Sequence, residues 1–367
     1  MSWDASGYGS HLETGIAAAA TTWYFAEGST AGDFSLFYLL QNPQTTAVTA
    51  TVRYLRPSGL PPIDRTYLLP PASRTTIVVD AQSAELASTD VSAVITSTAP
   101  IVAERSMYVN RPGQPFAAGH ESAGVTAPAL DWLLAEGATG AFFDLFVLIA
   151  NPSTTAATVD VEYLRSSGPP LVKSYVVPAQ SRITIWVDDE QLPAGSGQKP
   201  LAQGSVSTAV RVTNGVPVIV ERAMWWPGPE TTSNFWYEAH NSPGATGVAT
   251  RWLIGGGEVA GADQADTYVL IANTADRAGR ARVWLLWDGP WTTSDGSISV
   301  DLPPKSRTTV SLGSAFWVGA PSGGWRGVLV ESDGIDPVPI VVERATYASP
   351  GGVFWGRGGN ALATPLP

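Results

Sequence analysis

A phrase that returns about once per hundred residues constrains this chain more than any other feature of it. Trp23-Tyr24-Phe25-Ala26-Glu27-Gly28 comes back as Trp132-Leu133-Leu134-Ala135-Glu136-Gly137 and again as Trp252-Leu253-Ile254-Gly255-Gly256-Gly257. A closing phrase recurs with it: Glu104-Arg105-Ser106-Met107-Tyr108, Glu221-Arg222-Ala223-Met224-Trp225 and Glu343-Arg344-Ala345-Thr346-Tyr347. The opening Trp recurs after 109 and 120 residues, and the Glu-Arg pair after 117 and 122. Solenoid units repeat every 20 to 50 residues or so, roughly half this spacing or less. Each copy is therefore a small domain, and the 367 residues divide into repeats at 22–126, 127–246 and 247–367 behind a tail at 1–21.

A unit of that size buries roughly two-thirds of its unfolded surface and carries a core without staples. The absence of cysteine fits, and it excludes a disulfide framework or a cysteine metal site. Each copy then reads as strands. An apolar run ends at Asn42, Asn151 and Asn273, with Pro next in the first two copies, a pair that starts a turn. Clean alternation follows: Val48, Ala50, Val52 and Tyr54 against Thr49, Thr51 and Arg53, and Val159, Val161 and Tyr163 against Asp160 and Glu162. A strand with one wet face has this pattern. Gly/Pro turns separate it from a strand led by Ser-Arg at Ser73-Arg74, Ser181-Arg182 and Ser306-Arg307. The last pair is 91–96 with 101–108 in the first copy and 206–212 with 218–225 in the second. Seven or eight short strands with turn signals every 8 to 12 residues or so predict an all-β fold of three tandem immunoglobulin-like antiparallel β-sandwich modules, extended in a row. Helix is confined to a turn or two near 81–88.

The formal net charge of −11 argues against a nucleic-acid partner, whose binding rests on Lys and Arg. No apolar run reaches the length of a membrane span, and residues 1–20 lack the basic and apolar regions of a signal peptide.

These phrases resemble a repeat found in large secreted or surface-attached proteins of environmental bacteria. The matching stretches are Trp23 to Gly28, Leu148-Ile149-Ala150-Asn151-Pro152, Val220-Glu221-Arg222-Ala223-Met224-Trp225, Phe235 to Gly244, and Gly352-Val353-Phe354-Trp355 onward. The resemblance implies a non-catalytic extracellular module, often joined to other domains, and no cofactor. The third copy departs from the pattern at Gly256, where Glu is expected, and at Thr274, where Pro is expected. That suits a terminal, capping copy.

Candidate chemistry is thin. His11, His120 and His240 occupy one repeat position, so they converge on a metal or a triad only if the repeats fold back on one another. The simpler reading is an inter-strand hydrogen bond at a junction. Arg74, Arg182 and Arg307, and the Glu104, Glu221 and Glu343 pairs, read as structural ties, since a buried charge must be paired. Within each Glu-Arg pair one side chain should point in and the other out, and Glu27 and Glu136 are candidate partners for the arginines. No acid-base pair, nucleophile elbow or phosphate loop recurs, and only Asp263, Asp266 and Asp295 suggest a loop calcium site. Trp225, Trp226, Trp236, Tyr237, Trp287 and Trp291 are not all required by the repeat. They are candidates for stacking on a polysaccharide or anchoring an interface.

The ends carry one more expectation. Residues 8–23 line up with 117–132 and 237–252 through their histidines, so the tail reads as the last strand of a preceding copy. Successive subunits would then join as successive repeats do, head to tail with themselves or with other surface proteins, by strand addition into a filament.

Overall fold

Alternation along 48–54 becomes burial: Val48, Ala50, Val52 and Tyr54 are in the core, while Thr49, Thr51 and Arg53 reach solvent. A computed structural model describes residues 10–111, 113–227, 236–286, 296–316 and 324–367, without the side chains of 324 and 325. The first repeat holds β1 (Ala20–Phe25), β2 (Phe34–Asn42), β3 (Val48–Pro57), β4 (Ile63–Leu69), β5 (Ser73–Val78), β6 (Ser92–Arg111) and β7 (Gln114–Ala123). The second holds β8 (Asp131–Leu134), β9 (Ala138–Thr139), β10 (Asp144–Asn151), β11 (Ala157–Arg165), β12 (Leu171–Val177), β13 (Ser181–Trp186), β14 (Gly204–Val212), β15 (Ile219–Pro227) and β16 (Trp236–Pro243). The third holds β17 (Arg251–Val259), β18 (Asp266–Asn273), β19 (Gly279–Leu286), β20 (Ser297–Leu302), β21 (Ser306–Ser311), β22 (Gly324–Asp333), β23 (Ile340–Ala348), β24 (Arg357–Leu362) and β25 (Thr364–Pro365).

Each repeat folds into two antiparallel layers. In the second, β12-β11-β14-β8 form one layer and β13-β10-β15-β16 the other. The first has the same order, with one difference from expectation: the strands expected at 91–96 and 101–108 are one continuous β6. Its first half pairs with β1 and β3 in one layer, its second half with β2 and β7 in the other. In the third, β20-β19-β22-β17 face β21-β18-β23-β24, and β25 adds to the edge of β17. Helix is limited to single turns at Val79–Ala81, Ala84–Leu86, Val187–Asp189, Leu312–Ala315 and Pro350–Gly352 among the described residues.

The asparagines that end the apolar runs do more than start turns. Asn42 is fully buried, and its Nδ2 donates to the carbonyls of Thr46, Leu69 and Pro70 at 2.9 to 3.1 Å. Asn151 and Asn273 repeat the arrangement on Thr155, Val177 and Pro178 and on Arg277, Leu302 and Pro303. Buried carbonyls at the mouth of each sandwich need such a donor.

The repeats are not strung out in an extended row. Strand β13 of the second adds parallel to β3 of the first at Ser181 and Arg182, and β21 of the third adds to β11 of the second at Ser306. The cores merge as well: Ala135, Leu164 and Trp226 of the second repeat pack into the core of the third. Most telling, β16 packs against both β7 and β24, so the last strands of all three repeats gather together. Repeats rotated about a common line achieve this; a straight string does not.

Candidate functional site at the repeat junctions

The gathering of strands creates two buried junctions with one design. At the first, Glu221 on β15 crosses into repeat one. Its Oε1 accepts from the Ala26 backbone N–H at 2.8 Å, and its Oε2 accepts from Arg105 Nη1 at 2.6 Å. Arg105 also donates to the Glu27 carbonyl at 2.9 Å and to Glu27 Oε2 at 3.1 Å. Arg182, 2% exposed, donates to the Gly28 carbonyl at 3.0 Å. At the second, Glu343 accepts from the Ala135 N–H at 2.8 Å and from Arg222 at 3.0 Å. Arg222 lies 3.9 Å from Glu136, and Arg307 donates to the Gly137 carbonyl.

Local sequence explains the recurrence. The Glu-Arg pair sits on a strand, so its members face opposite ways. Arg turns back into the opening phrase of its own repeat, and Glu turns toward the preceding one. Both Glu221 and Arg222 end up buried, against the expectation that one side chain faces solvent, because the outward face is covered by the neighbouring repeat. Glu27 and Glu136 do serve as carboxylate partners of Arg105 and Arg222. An ion pair this buried survives only where every charge is matched.

Electrostatics differ between the junctions. Burial pushes Glu27 up, but His120 and Arg105 outweigh it and hold the carboxyl below its ordinary value. Burial wins at Glu343, which is raised despite Arg222. Burial, with the Arg222 and His120 charges, also drives His240 well below its ordinary value, so it is neutral at pH 7.

His120 and His240 lie on β7 and β16, which pack together. His11 Nε2 lies 2.7 Å from Glu121 Oε2, His120 Nε2 lies 3.4 Å from Glu27 Oε2, and His240 Nε2 lies 3.0 Å from the Tyr347 hydroxyl. His240 therefore bonds across a junction and His11 ties the N-terminal segment to repeat one, while the His120–Glu27 contact stays inside repeat one. Among the described residues no group of His, Asp or Glu is gathered for a metal. Asp263 pairs with Arg357 at 2.8 Å, Asp266 accepts from Ser311 and Gly313, and Asp295 lies outside the described residues.

The four aromatic candidates among the described residues lie on strands, not on loops as expected of sugar-stacking residues. Trp225 and Trp226 lie on β15, 2% and 0% exposed. They face opposite cores: Trp225 packs with Phe34 and His120 of repeat one, Trp226 with Tyr347 of repeat three. Trp226 Nε1 donates to the Trp355 carbonyl at 2.9 Å. Trp236 is half-buried, donating to Asp144 at 2.6 Å, and the Arg111 guanidinium lies 3.2 Å over the Tyr237 ring. Two adjacent tryptophans thus bind the second repeat to both neighbours. Trp287 and Trp291 lie outside the described residues.

Comparison with known proteins adds little. No family model matches the chain, and no curated protein does. Among solved structures it is similar to protein 1070 of Thermotoga maritima, with 14% identity, 32% of this chain and 94% of that chain covered, and a TM-score of 0.25. It is also similar to the Anabaena sensory rhodopsin transducer, with 21% identity, 26% and 94% covered, and a TM-score of 0.21. Likeness at that level carries no argument about function.

The junction has two halves, and each end of the chain shows one of them unpaired. On repeat one the Glu104 carboxylate has no hydrogen-bond partner among the described residues, and Arg74 is exposed, where Arg182 and Arg307 are buried. On repeat three no glutamate enters the opening phrase among the described residues. Arg344, the counterpart of Arg105 and Arg222, has no hydrogen-bond or ion-pair partner among the described residues, and burial pushes its pKa down. Beside it lies a cavity of about 330 Å³ lined in part by Leu253, Ile254, Gly255, Gly256 and Leu362. No helix among the described residues is long and apolar enough to cross a membrane.

Proposed function

We propose that this is a non-catalytic structural or adhesive protein of the bacterial exterior, built from three immunoglobulin-like sandwiches and working through protein–protein junctions. One observation carries the reading: the chain builds the same buried junction twice and leaves its two complementary halves open at its ends. At the two built junctions Arg105, Arg182, Arg222, Arg307, Glu221 and Glu343 are engaged in holding repeats together, which favours a structural role over turnover of a substrate. The sequence resemblance to surface repeats supports a position outside the cell.

The rival reading is polysaccharide binding. It loses its strongest residues with the burial of Trp225 and Trp226. Among the described residues Trp186 and Phe354 are the large aromatics most open to solvent, and each stacks on a neighbouring ring, Phe146 and Trp355. Retention of the chain on insoluble cellulose, chitin and peptidoglycan separates the two readings. The structural reading expects elution with the void and unchanged tryptophan emission; saturable retention lost in a Trp291→Ala variant would overturn it.

A further inference from the structure

Segment 10–18 determines what the open halves face. In sequence it matches the last strand of a repeat, with His11 at the position of His120 and His240. In space it stands where such a strand belongs, twice over. Beside repeat one, His11 meets Glu121 and the Ala123 N–H donates to Glu13 Oε2 at 3.2 Å. Beside repeat three, Ser10 Oγ donates to the Gly358 carbonyl at 3.3 Å, and Leu12 packs on Gly359 so closely that a Cβ there would meet Leu12 Cγ at 2.9 Å. Three strands and one irregular segment thus surround one axis, β7, β16, β24 and residues 10–18, and the segment has no sandwich behind it among the described residues.

Segment 10–18 touches the strands on both sides of it, so the circle that β7, β16 and β24 begin is completed by it. Gly359 pairs with Thr346 as His240 pairs with Met224 and His120 with Met107, so Gly359 holds the histidine position of repeat three. His11 faces Glu121, one residue past that position in repeat one, and Leu12, one residue past His11, faces Gly359. A second copy entering behind repeat three by its own first repeat would bring its second repeat onto repeat one. An open string through this junction has no room.

We propose that the chain forms three quarters of a closed ring, and that the vacant quarter between Glu104 and Arg74 on one side and Gly255 and Arg344 on the other binds a fourth β-sandwich module. Its recognition chemistry is fixed by the two junctions already built. It carries a Glu-Arg pair on its penultimate strand, and segment 10–18 supplies its last strand. Its Glu accepts from the Gly255 N–H and from Arg344, as Glu221 does from Ala26 and Arg105. Its own Arg receives Glu104, and a carbonyl of its opening phrase receives Arg74. Glu104 is raised by burial and by repulsion from Glu121, against the pull of Arg74, and gains a second, buried cation. This rests on the structural reading above.

A four-module chain tests it: a copy of residues 127–235 placed ahead of residue 7, so that segment 10–18 completes the added module. Small-angle scattering should give a maximum dimension no longer than that of the parent. A cysteine at Gly255 and one at Glu221 of the added copy should be joined by a short bis-maleimide, in a chain that has no other cysteine. An Arg344→Glu change should abolish the cross-link. A longer particle without the cross-link overturns the inference. The same fusion made with residues 18–115 serves if the first does not fold. Concentration-dependent doubling of the parent, lost in Arg344→Gln, also overturns ring closure but leaves the structural reading standing; polysaccharide retention is what sinks that reading.

Discussion

Glu221 and Arg105 stand 116 positions apart in sequence and 2.6 Å apart in space, each fully buried. Neither sits in the repeat that the other needs for its own core. The pair exists only because two repeats meet, and it makes their meeting conditional on matched charge.

Removing Arg105 should therefore cost far more than a surface change. Arg105→Leu strands Glu27 and Glu221 without their cation, a loss of about 3–5 kcal/mol. Arg344→Leu, at the unpaired counterpart, should stay within about 0.5 kcal/mol of the parent. Urea unfolding followed by tryptophan emission compares the two, and equal losses would show that the junctions contribute nothing.

The asparagine at each strand end should be nearly as sensitive. Asn151→Ala leaves the carbonyls of Thr155, Val177 and Pro178 without their donor, at about 1–3 kcal/mol. Asn151→Asp should be worse, since a carboxylate would face the same three acceptors. Thermal midpoints of the two variants check the order.

Acid should loosen the junctions unequally. Glu27 is held below its ordinary value of 4.5, so its contribution is complete above pH 4.5 and is lost as pH falls through the lower folded value. Glu343 is raised above 4.5, so its contribution is complete below pH 4.5 and is lost as pH rises through the higher folded value. Hydrogen exchange at two amides reads the difference: Ala26 lies at the junction that Glu27 holds through Arg105, and Ala135 donates to Glu343. Below pH 4.5 protection at Ala26 should fall while that at Ala135 holds.

Gly28 offers a steric test. A Cβ at this position would stand 2.5 Å from the Val91 carbonyl oxygen, and Gly137 repeats the contact with Val206. Gly28→Ala should cost about 1–3 kcal/mol and push Arg182 off the Gly28 carbonyl. A calorimetric midpoint matching the parent would remove close packing as the reason for glycine there.

Much of the strand content was legible, because period-2 alternation reports the wet face of a strand directly. The partnership of Arg105 with Glu27 was legible too, since the two recur together and both are lost or isolated in the third copy. The rotation of the repeats was not. Nothing local in Glu-Arg says whether its outward member meets water or a neighbour, and burial of both members is a property of the junction. Trp225 and Trp226 misled for the same reason: adjacent residues on a strand cannot both face one core, and two cores are available only when a neighbour docks on each side. The continuous β6 was hidden by Pro100, which marks a turn elsewhere and here sits where a strand leaves one layer for the other.

Segment 10–18 has a consequence for the order in which the molecule is made. It leaves the ribosome well before the strands beside it, β7 and β24, which lie about 110 and about 350 residues later. Contacts that distant form late, after the loops they close have been ordered. The segment must therefore wait through the synthesis of all three repeats before both of its neighbours exist.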